Sequence, residues 1–121
     1  MGSEVMGVPS DSEFMEALGS VPEATEYDPD VWRVETPIGD SGALLVLSFD
    51  IGGSSIRLTR ESANGSDIEI YREEVRRILV YSEGGGRGII VESHMSSFTC
   101  ELRVAIHPQF RLLDTTLRVG I

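Results

Sequence analysis

The chain of 121 residues contains no lysine, so all ten of its cations are arginines. Its single cysteine, Cys100, excludes an internal disulfide and a CxxC metal or redox pair. No stretch approaches the about 20 apolar residues that span a bilayer, and the amino terminus lacks a cation followed by an apolar run. We therefore expect a soluble protein of a reducing cytoplasm, acidic as many bacterial proteins are, with no membrane partner.

Negative charge is concentrated in the first part of the chain. Residues 1–50 contain eleven carboxylates and one arginine, whereas residues 51–121 contain nine groups of each sign. The net charge of −10 therefore arises entirely within the first segment. Direct binding to nucleic acid is disfavoured, because phosphates require clustered cations, and a basic protein partner is favoured instead.

Length and composition predict one domain. A chain of 121 residues that is 40% hydrophobic can bury one modest core, and two independent cores are not expected at this size. We expect a mobile amino terminus over residues 1–9, a short helix and an acidic connector over residues 10–30, and a β domain over residues 31–121.

The segment from Ser10 to Gly19 carries the start and stop signals of a short helix. Ser10 can cap the helix, Glu13 stands three positions later as in a capping box, and Gly19 can end it. The predicted apolar face consists of Phe14, Met15 and Leu18. In the connector that follows, Pro22 and Pro29 predict an irregular, extended chain.

Strand patterns begin at Trp32. Ala43–Asp50 is apolar on both faces, as expected of a covered central strand, and Asn64-Gly65 predicts a hairpin turn. Phe98–Ile106 alternates over nine residues, and the turn after it leads to a last alternating strand over residues 113–119. About seven strands predict a mainly β (α+β) fold, an antiparallel meander that forms a sandwich or open barrel with one short amino-terminal helix.

The segment 71–81 is ambiguous. Tyr71, Val75 and Ile78 follow helical spacing among good helix formers, whereas Val75–Tyr81 could equally pair as a strand with the segment that follows "SEGGGRG". We favour strand, a tight turn at Glu73-Glu74 and strand, because the flanking segments all have hairpin patterns.

Gly39-Asp40-Ser41-Gly42 resembles the nucleophile motif of chymotrypsin-like serine proteases. In that family a histidine and then an aspartate precede the serine, whereas His94 and His107 both follow Ser41 here. The chain is also about half the length of a two-barrel protease. We therefore interpret these four residues as a turn before the Ala43 strand.

Other short motifs have equally simple interpretations. Asp28-Pro29-Asp30 looks like the DxD motif of glycosyltransferases, but two carboxylates are too few ligands for a closed metal site. The glycines of "EGGGRG" lack the lysine of a P-loop and are interpreted as a hairpin loop. Cys100 and His107 are predicted to face opposite sides of their strand, and His94 lies near a strand end. We predict no catalytic residues, no metal and no cofactor.

The acidic connector is the strongest candidate site. Acids steer a charged partner during encounter and aromatic rings anchor the complex, so carboxylates beside aromatics are typical of a protein interface. The predicted partner-binding residues are Glu23, Glu26, Tyr27, Asp28, Asp30 and Trp32.

Three functions follow from these patterns. The first is a non-catalytic module that captures or neutralises a basic protein, such as a toxin or nuclease, in the manner of a small immunity or inhibitor protein. The second is a homo-oligomeric assembly subunit, such as a homodimer, in which the acids only improve solubility. The third is a small ligand-binding barrel or enzyme with an unrecognised site.

Overall fold

The computed structural model describes residues 5–39 and 41–118, which form one helix and nine strands in two antiparallel sheets. The helix α1 is Asp11–Leu18. The first sheet has the order β1 (Glu23–Ala24), β2 (Val31–Ile38), β3 (Ala43–Asp50), β4 (Ser55–Ser62) and β5 (Gly65–Arg72). The second has the order β6 (Val75–Glu83), β7 (Gly86–Met95), β8 (Phe98–His107) and β9 (Arg111–Arg118). The predicted mainly β meander with one short helix is confirmed, with nine strands where about seven were expected.

The helix begins and ends where its capping signals predicted. The Ser10 side chain accepts a hydrogen bond from the Glu13 backbone N–H, the Glu13 side chain accepts one from the Ser10 N–H, and Gly19 adopts φ of 78°. Phe14 and Leu18 are buried, but Met15 is 52% exposed. The prediction that Met15 belongs to the apolar face is wrong, and Ala17 takes that place in the core.

The ambiguous segment is two strands, as favoured. β5 ends at Arg72 and β6 begins at Val75, with Glu74 at φ of 55° in the tight connection. Residues three apart in a regular strand face opposite sides, but the register of β6 against β7 shifts between Val75 and Arg77, so Val75 and Ile78 both enter the core. Pairing with β7 satisfies the backbone hydrogen bonds of β6. Cross-strand pairing therefore overrides the helical spacing of the side chains.

Both sheets and the helix contribute to one hydrophobic core. Val34, Leu47 and Leu58 come from the first sheet, and Val91 and Val104 come from the second. The helix adds Phe14, whose ring stacks on that of Phe49 with 6.1 Å between ring centroids. The two sheets are thus the layers of a sandwich.

Helix α1 and the segment before it lie along β6, at one side of the sandwich. Residues 5–9, predicted to be mobile, place Met6 in the core and pair Gly7 with β6. The Gly7 N–H donates to the Arg76 carbonyl oxygen and the Ile78 N–H donates to the Gly7 carbonyl oxygen, each at 2.8 Å. Residues 1–4 of the predicted mobile segment lie outside the described residues.

The other side of the sandwich is formed by β5 and β9. Arg72 of β5 forms an ion pair with Asp114 of β9. The Arg60 guanidinium lies 4.8 Å from the centroid of the Phe110 ring, which precedes β9. These contacts hold the free edges of the two sheets together, opposite the helix.

Candidate functional site

The acidic connector folds as a hairpin. We predicted irregular structure over residues 20–30, but Glu23 and Ala24 form β1, which pairs with Arg33 and Trp32 of β2. This pairing corrects the prediction for those two residues. The prolines do not prevent it, because both Pro22 and Pro29 lie outside β1 and β2.

The hairpin loop is held by its own backbone. The Thr25 N–H donates to the Val31 carbonyl oxygen at 3.0 Å, and the Val31 N–H donates to the Asp28 carbonyl oxygen at 3.1 Å. The Thr25 hydroxyl donates to the same Asp28 oxygen at 3.0 Å. These bonds give the loop 25–30 a defined shape before any partner binds.

The tip of the loop is an Asx turn. The Asp30 N–H donates to Asp28 Oδ1 at 2.9 Å across Pro29, a local bond that aspartate forms readily in turns. The Ile51 N–H then donates to the Asp30 carbonyl oxygen at 3.1 Å, so the tip is fastened to the loop between β3 and β4. The DxD sequence is therefore a structured turn.

A third carboxylate lies beside this tip. Val31 pairs with Asp50 across β2 and β3, and Asp50 Oδ1 accepts a hydrogen bond from the Gly53 N–H at 3.0 Å. A Cβ at Gly52 would lie 3.1 Å from Asp30 Oδ2 and 3.6 Å from Asp50 Oδ1. The strand pairing thus brings Asp50 close to Asp30, which no local sequence signal could have revealed.

The predicted contact residues fall into two groups. Tyr27 is 95% exposed, and the four carboxylates of Glu23, Glu26, Asp28 and Asp30 are exposed as well. Trp32 is partly buried and packs against the core, where it pairs with Phe49. The hairpin therefore presents five of the six residues together, while the tryptophan supports it from the core side.

An open cleft of about 600 Å³ runs beside the hairpin. Glu23, Glu26 and Tyr27 line it together with Arg33 and Glu35. Arg33 and Glu35 form an ion pair at 2.7 Å, so the arginine charge is already matched, whereas Glu23 and Glu26 have no ion-pair partner among the described residues. The cleft can accept a cationic side chain.

The same lack of ion pairs extends to the helix. Within the part of the chain that the structure describes, every carboxylate in an ion pair belongs to Glu35 or to a later residue. The acids of the helix and hairpin that lack an ion-pair partner are Asp11, Glu13, Glu16, Glu23, Glu26, Asp28 and Asp30. Their negative field is therefore not neutralised by the protein itself.

The protease-like motif forms a turn. The Ser41 hydroxyl donates to the Ile38 carbonyl oxygen at 2.9 Å and accepts from the Ala43 N–H at 3.3 Å. Asp40 lies outside the described residues. Because its hydroxyl bonds to a backbone group before it and to another after it, Ser41 stabilises the turn between β2 and β3.

The remaining candidates are dispersed. Cys100 is buried with its Sγ 3.6 Å from Thr116 Oγ1, His107 is exposed, and His94 Nδ1 lies 3.4 Å from Thr99 Oγ1. Between residues 5 and 118, leaving out Asp40, no group of three or more His, Cys, Asp or Glu side chains could hold a metal ion.

A second open cleft, of about 410 Å³, is lined by His94, Glu74 and Arg76. Ser54, Glu74 and Ser96 on its wall are the non-glycine residues with positive φ in the described chain, at 52°, 55° and 49°. Each lies in a tight connection between two strands, where such a conformation turns the chain. Turn geometry therefore accounts for the shape of this cleft.

Comparison with known proteins identifies a shared fold. No protein-family model and no curated protein sequence matches the chain. A solved structure does. It is a chain from the "Contact-dependent growth inhibition toxin - immunity protein complex from Klebsiella pneumoniae 342", superposed with a TM-score of 0.78 over 95% of this chain and 100% of that chain. At 15% identity, the likeness shows that the two chains have the same fold.

No helix within residues 5–39 and 41–118 is both long and apolar enough to cross a membrane. The one helix in these residues, α1, has eight residues, far fewer than the about 20 that a bilayer requires.

Proposed function

We propose that the chain is a non-catalytic module that captures and neutralises a basic protein, such as a toxin or nuclease, in the manner of a small immunity protein. The observation that carries this proposal is the fold, which the chain shares over 95% of its length with a chain of a toxin–immunity protein complex. Of the two roles in such a complex, the unneutralised acidic surface favours the inhibitor, because carboxylates complement a basic enzyme. We place this action in the cytoplasm.

Encounter is the first step of the proposed mechanism. The seven acids of the helix and hairpin produce a negative field that attracts a basic partner and raises its association rate. Because the acids are exposed, salt screens this field over about 8 Å at physiological ionic strength. We therefore expect association to depend strongly on salt.

Docking follows at the hairpin. The side chain of Tyr27 projects into solvent, and a tyrosine supplies a large contact area with few rotatable bonds. Glu23 and Glu26 can receive a cationic side chain in the adjoining cleft. The hydrogen-bonded loop lowers the entropy that binding must remove, because its backbone is already ordered.

Two other predicted functions remain open to test. A ligand-binding barrel or enzyme would use the His94 cleft, and a homo-oligomeric subunit would use an exposed strand. Neither explains why carboxylates without partners are gathered on one hairpin and one helix.

Affinity capture tests the proposal. The tagged chain is incubated with lysate of its own cells at about 50 mM and about 500 mM salt, beside a quadruple variant in which Glu23 and Glu26 become Gln and Asp28 and Asp30 become Asn. One basic protein that is captured at low salt, and lost at high salt or with the variant, supports the proposal. Equal capture of that protein by the variant contradicts the role of the hairpin.

A growth assay then separates the two roles of a toxin–immunity pair. The chain is expressed alone and together with the captured protein. Normal growth with the chain alone, and growth rescue when both are present, identifies it as the neutralising component. Growth arrest by the chain alone contradicts the proposal.

A further inference from the structure

The sheets have four outer edges, and three of them are protected against pairing with another chain. β1 has only two residues. β6 is paired with Gly7 of the amino-terminal segment. β5 carries charged side chains, with Asp67 and Glu69 engaged by arginines of β4. A short strand, a covering segment and edge charges are the means by which proteins prevent edge pairing.

The fourth edge, β9, is neither short nor covered, and its charged residues Arg111, Asp114 and Arg118 leave the centre of its outer face uncharged. It is eight residues long and pairs with β8 on one side only. Leu113 and Leu117 lie on its outer face, where they are 54% and 63% exposed, with the uncharged Thr115 between them. A long edge strand with exposed leucines and unpaired backbone groups is a template for another strand.

We propose that β9 pairs antiparallel with β9 of a second copy of this chain, about a twofold axis through Thr115. The two four-stranded sheets then become one continuous sheet. Opposite residues of antiparallel strands share a face, so Leu113 of one copy lies against Leu117 of the other on the outer face.

The two leucines favour this register, because an axis at Thr115 is the one that sets each Leu113 directly opposite Leu117 of the second copy. An axis through Asp114 would set two carboxylates directly opposite each other, which is unfavourable. With the axis at Thr115, Asp114 lies opposite Thr116 and diagonal to both Asp114 and Arg118 of the second copy, so the long Arg118 side chain can reach the carboxylates. Arg118 has no ion-pair partner among the described residues, so the pairing supplies one on each side of the axis.

The charge distribution also favours a second copy at this edge. β9 lies on the side of the sandwich away from α1, so the acidic surfaces of two copies remain far apart. Residues 75–118 hold six arginines and four acids, in contrast to the net charge of −10 of the whole chain. A basic toxin would be repelled by Arg111 and Arg118 here, whereas the acidic hairpin attracts it.

Sedimentation of the full chain over a range of concentrations tests this pairing. We expect a monomer–dimer equilibrium for the wild type. The double variant Leu113→Lys, Leu117→Lys should dimerise about tenfold more weakly or not at all, because charges on an edge strand block pairing. The matched control is Met15→Lys, Tyr71→Lys, which replaces two apolar residues of 52% and 51% exposure on other surfaces. Circular dichroism checks that both variants are folded.

Cysteine cross-linking tests the register. In a Cys100→Ala background, Thr115→Cys should give a disulfide-linked dimer on mild oxidation, because a residue on the axis faces its own copy. Leu113→Cys alone should link poorly, and Leu113→Cys with Leu117→Cys should link well. A wild type that is monomeric throughout, a dimer unaffected by the two lysines, or equal linking at Leu113→Cys and Thr115→Cys would overturn the proposal. None of these results depends on whether the acidic hairpin binds a toxin.

Discussion

The Ile51 N–H donates a 3.1 Å hydrogen bond to the carbonyl oxygen of Asp30, and this bond joins the acidic hairpin tip to the β3–β4 loop. The tip is thereby attached to a loop whose ends are held by the β3–β4 pairing. A surface that is ordered before binding loses less entropy when it binds. The hairpin is consequently suited to recognition by direct contact.

The first prediction concerns association kinetics. In the hairpin variant, Glu23 and Glu26 become Gln, and Asp28 and Asp30 become Asn. This variant should associate with the captured partner about tenfold or more slowly at low salt. The effect should be much smaller at high salt, because salt screens the attraction between exposed charges. Stopped-flow mixing measures the rate.

The control for this variant has the same net charge. In this control, four glutamates of the β domain become glutamine, namely Glu61, Glu73, Glu74 and Glu83. If the control slows association as much as the hairpin variant, net charge alone controls the rate and the position of the acids does not matter.

The second prediction concerns the aromatic anchor. Tyr27→Ala should weaken partner binding by about 2 kcal/mol or more through faster dissociation, because a central aromatic residue is a typical hot spot. Tyr71→Ala, which removes a tyrosine 51% exposed on β5, should leave affinity unchanged. Surface plasmon resonance measures both rates, and equal losses for the two variants would contradict this role of Tyr27.

The third prediction concerns the docking of the helix. Phe14 is fully buried and stacked on Phe49, so Phe14→Ala should lower the free energy of unfolding by about 3–5 kcal/mol. Met15→Ala, one position away and half-exposed, should change it by less than about 1 kcal/mol. Urea denaturation followed by circular dichroism measures both values, and comparable losses would show that α1 packs through another face.

The fourth prediction concerns the close approach of β8 to Gly88 of β7. A Cβ at Gly88 would lie 2.2 Å from the Val104 carbonyl oxygen and 2.5 Å from Tyr81 Oη, so Gly88→Ala must displace β8. We expect a loss of about 1–3 kcal/mol in the free energy of unfolding. Gly86→Ala in the same strand has no neighbour closer than 3.5 Å and should be well tolerated. Thermal unfolding compares the two, and equal melting temperatures would contradict the close approach.

Sequence patterns predicted most of the local structure. Three of these patterns correspond to features of the fold. They are the capping box at Ser10 and Glu13, the Asn64-Gly65 turn and the alternation over Phe98–Ile106. Each of these signals depends on residues a few positions apart, whose local preferences agree with the final structure. The exception is Met15, whose exposure depends on how the helix is rotated against the sheets.

The candidate site was predicted only in part. The acids and Tyr27 could be located from composition, because exposed carboxylates gather in one short segment. Three further features could not be predicted, because each depends on strand register. They are the pairing of β1 with β2, the inward position of Trp32 and the approach of Asp50 to Asp30. Register brings together residues that are distant in the chain, and no local pattern determines it.

The sequence by itself thus determined the helix caps, the strand-forming segments and the segregation of negative charge, because these are properties of neighbouring residues. Only the tertiary structure decided that the acidic connector is an ordered hairpin and that β9 is a long sheet edge with exposed leucines. Both outcomes depend on which strands pair, and that choice is made by burial of the single core shared by the two sheets.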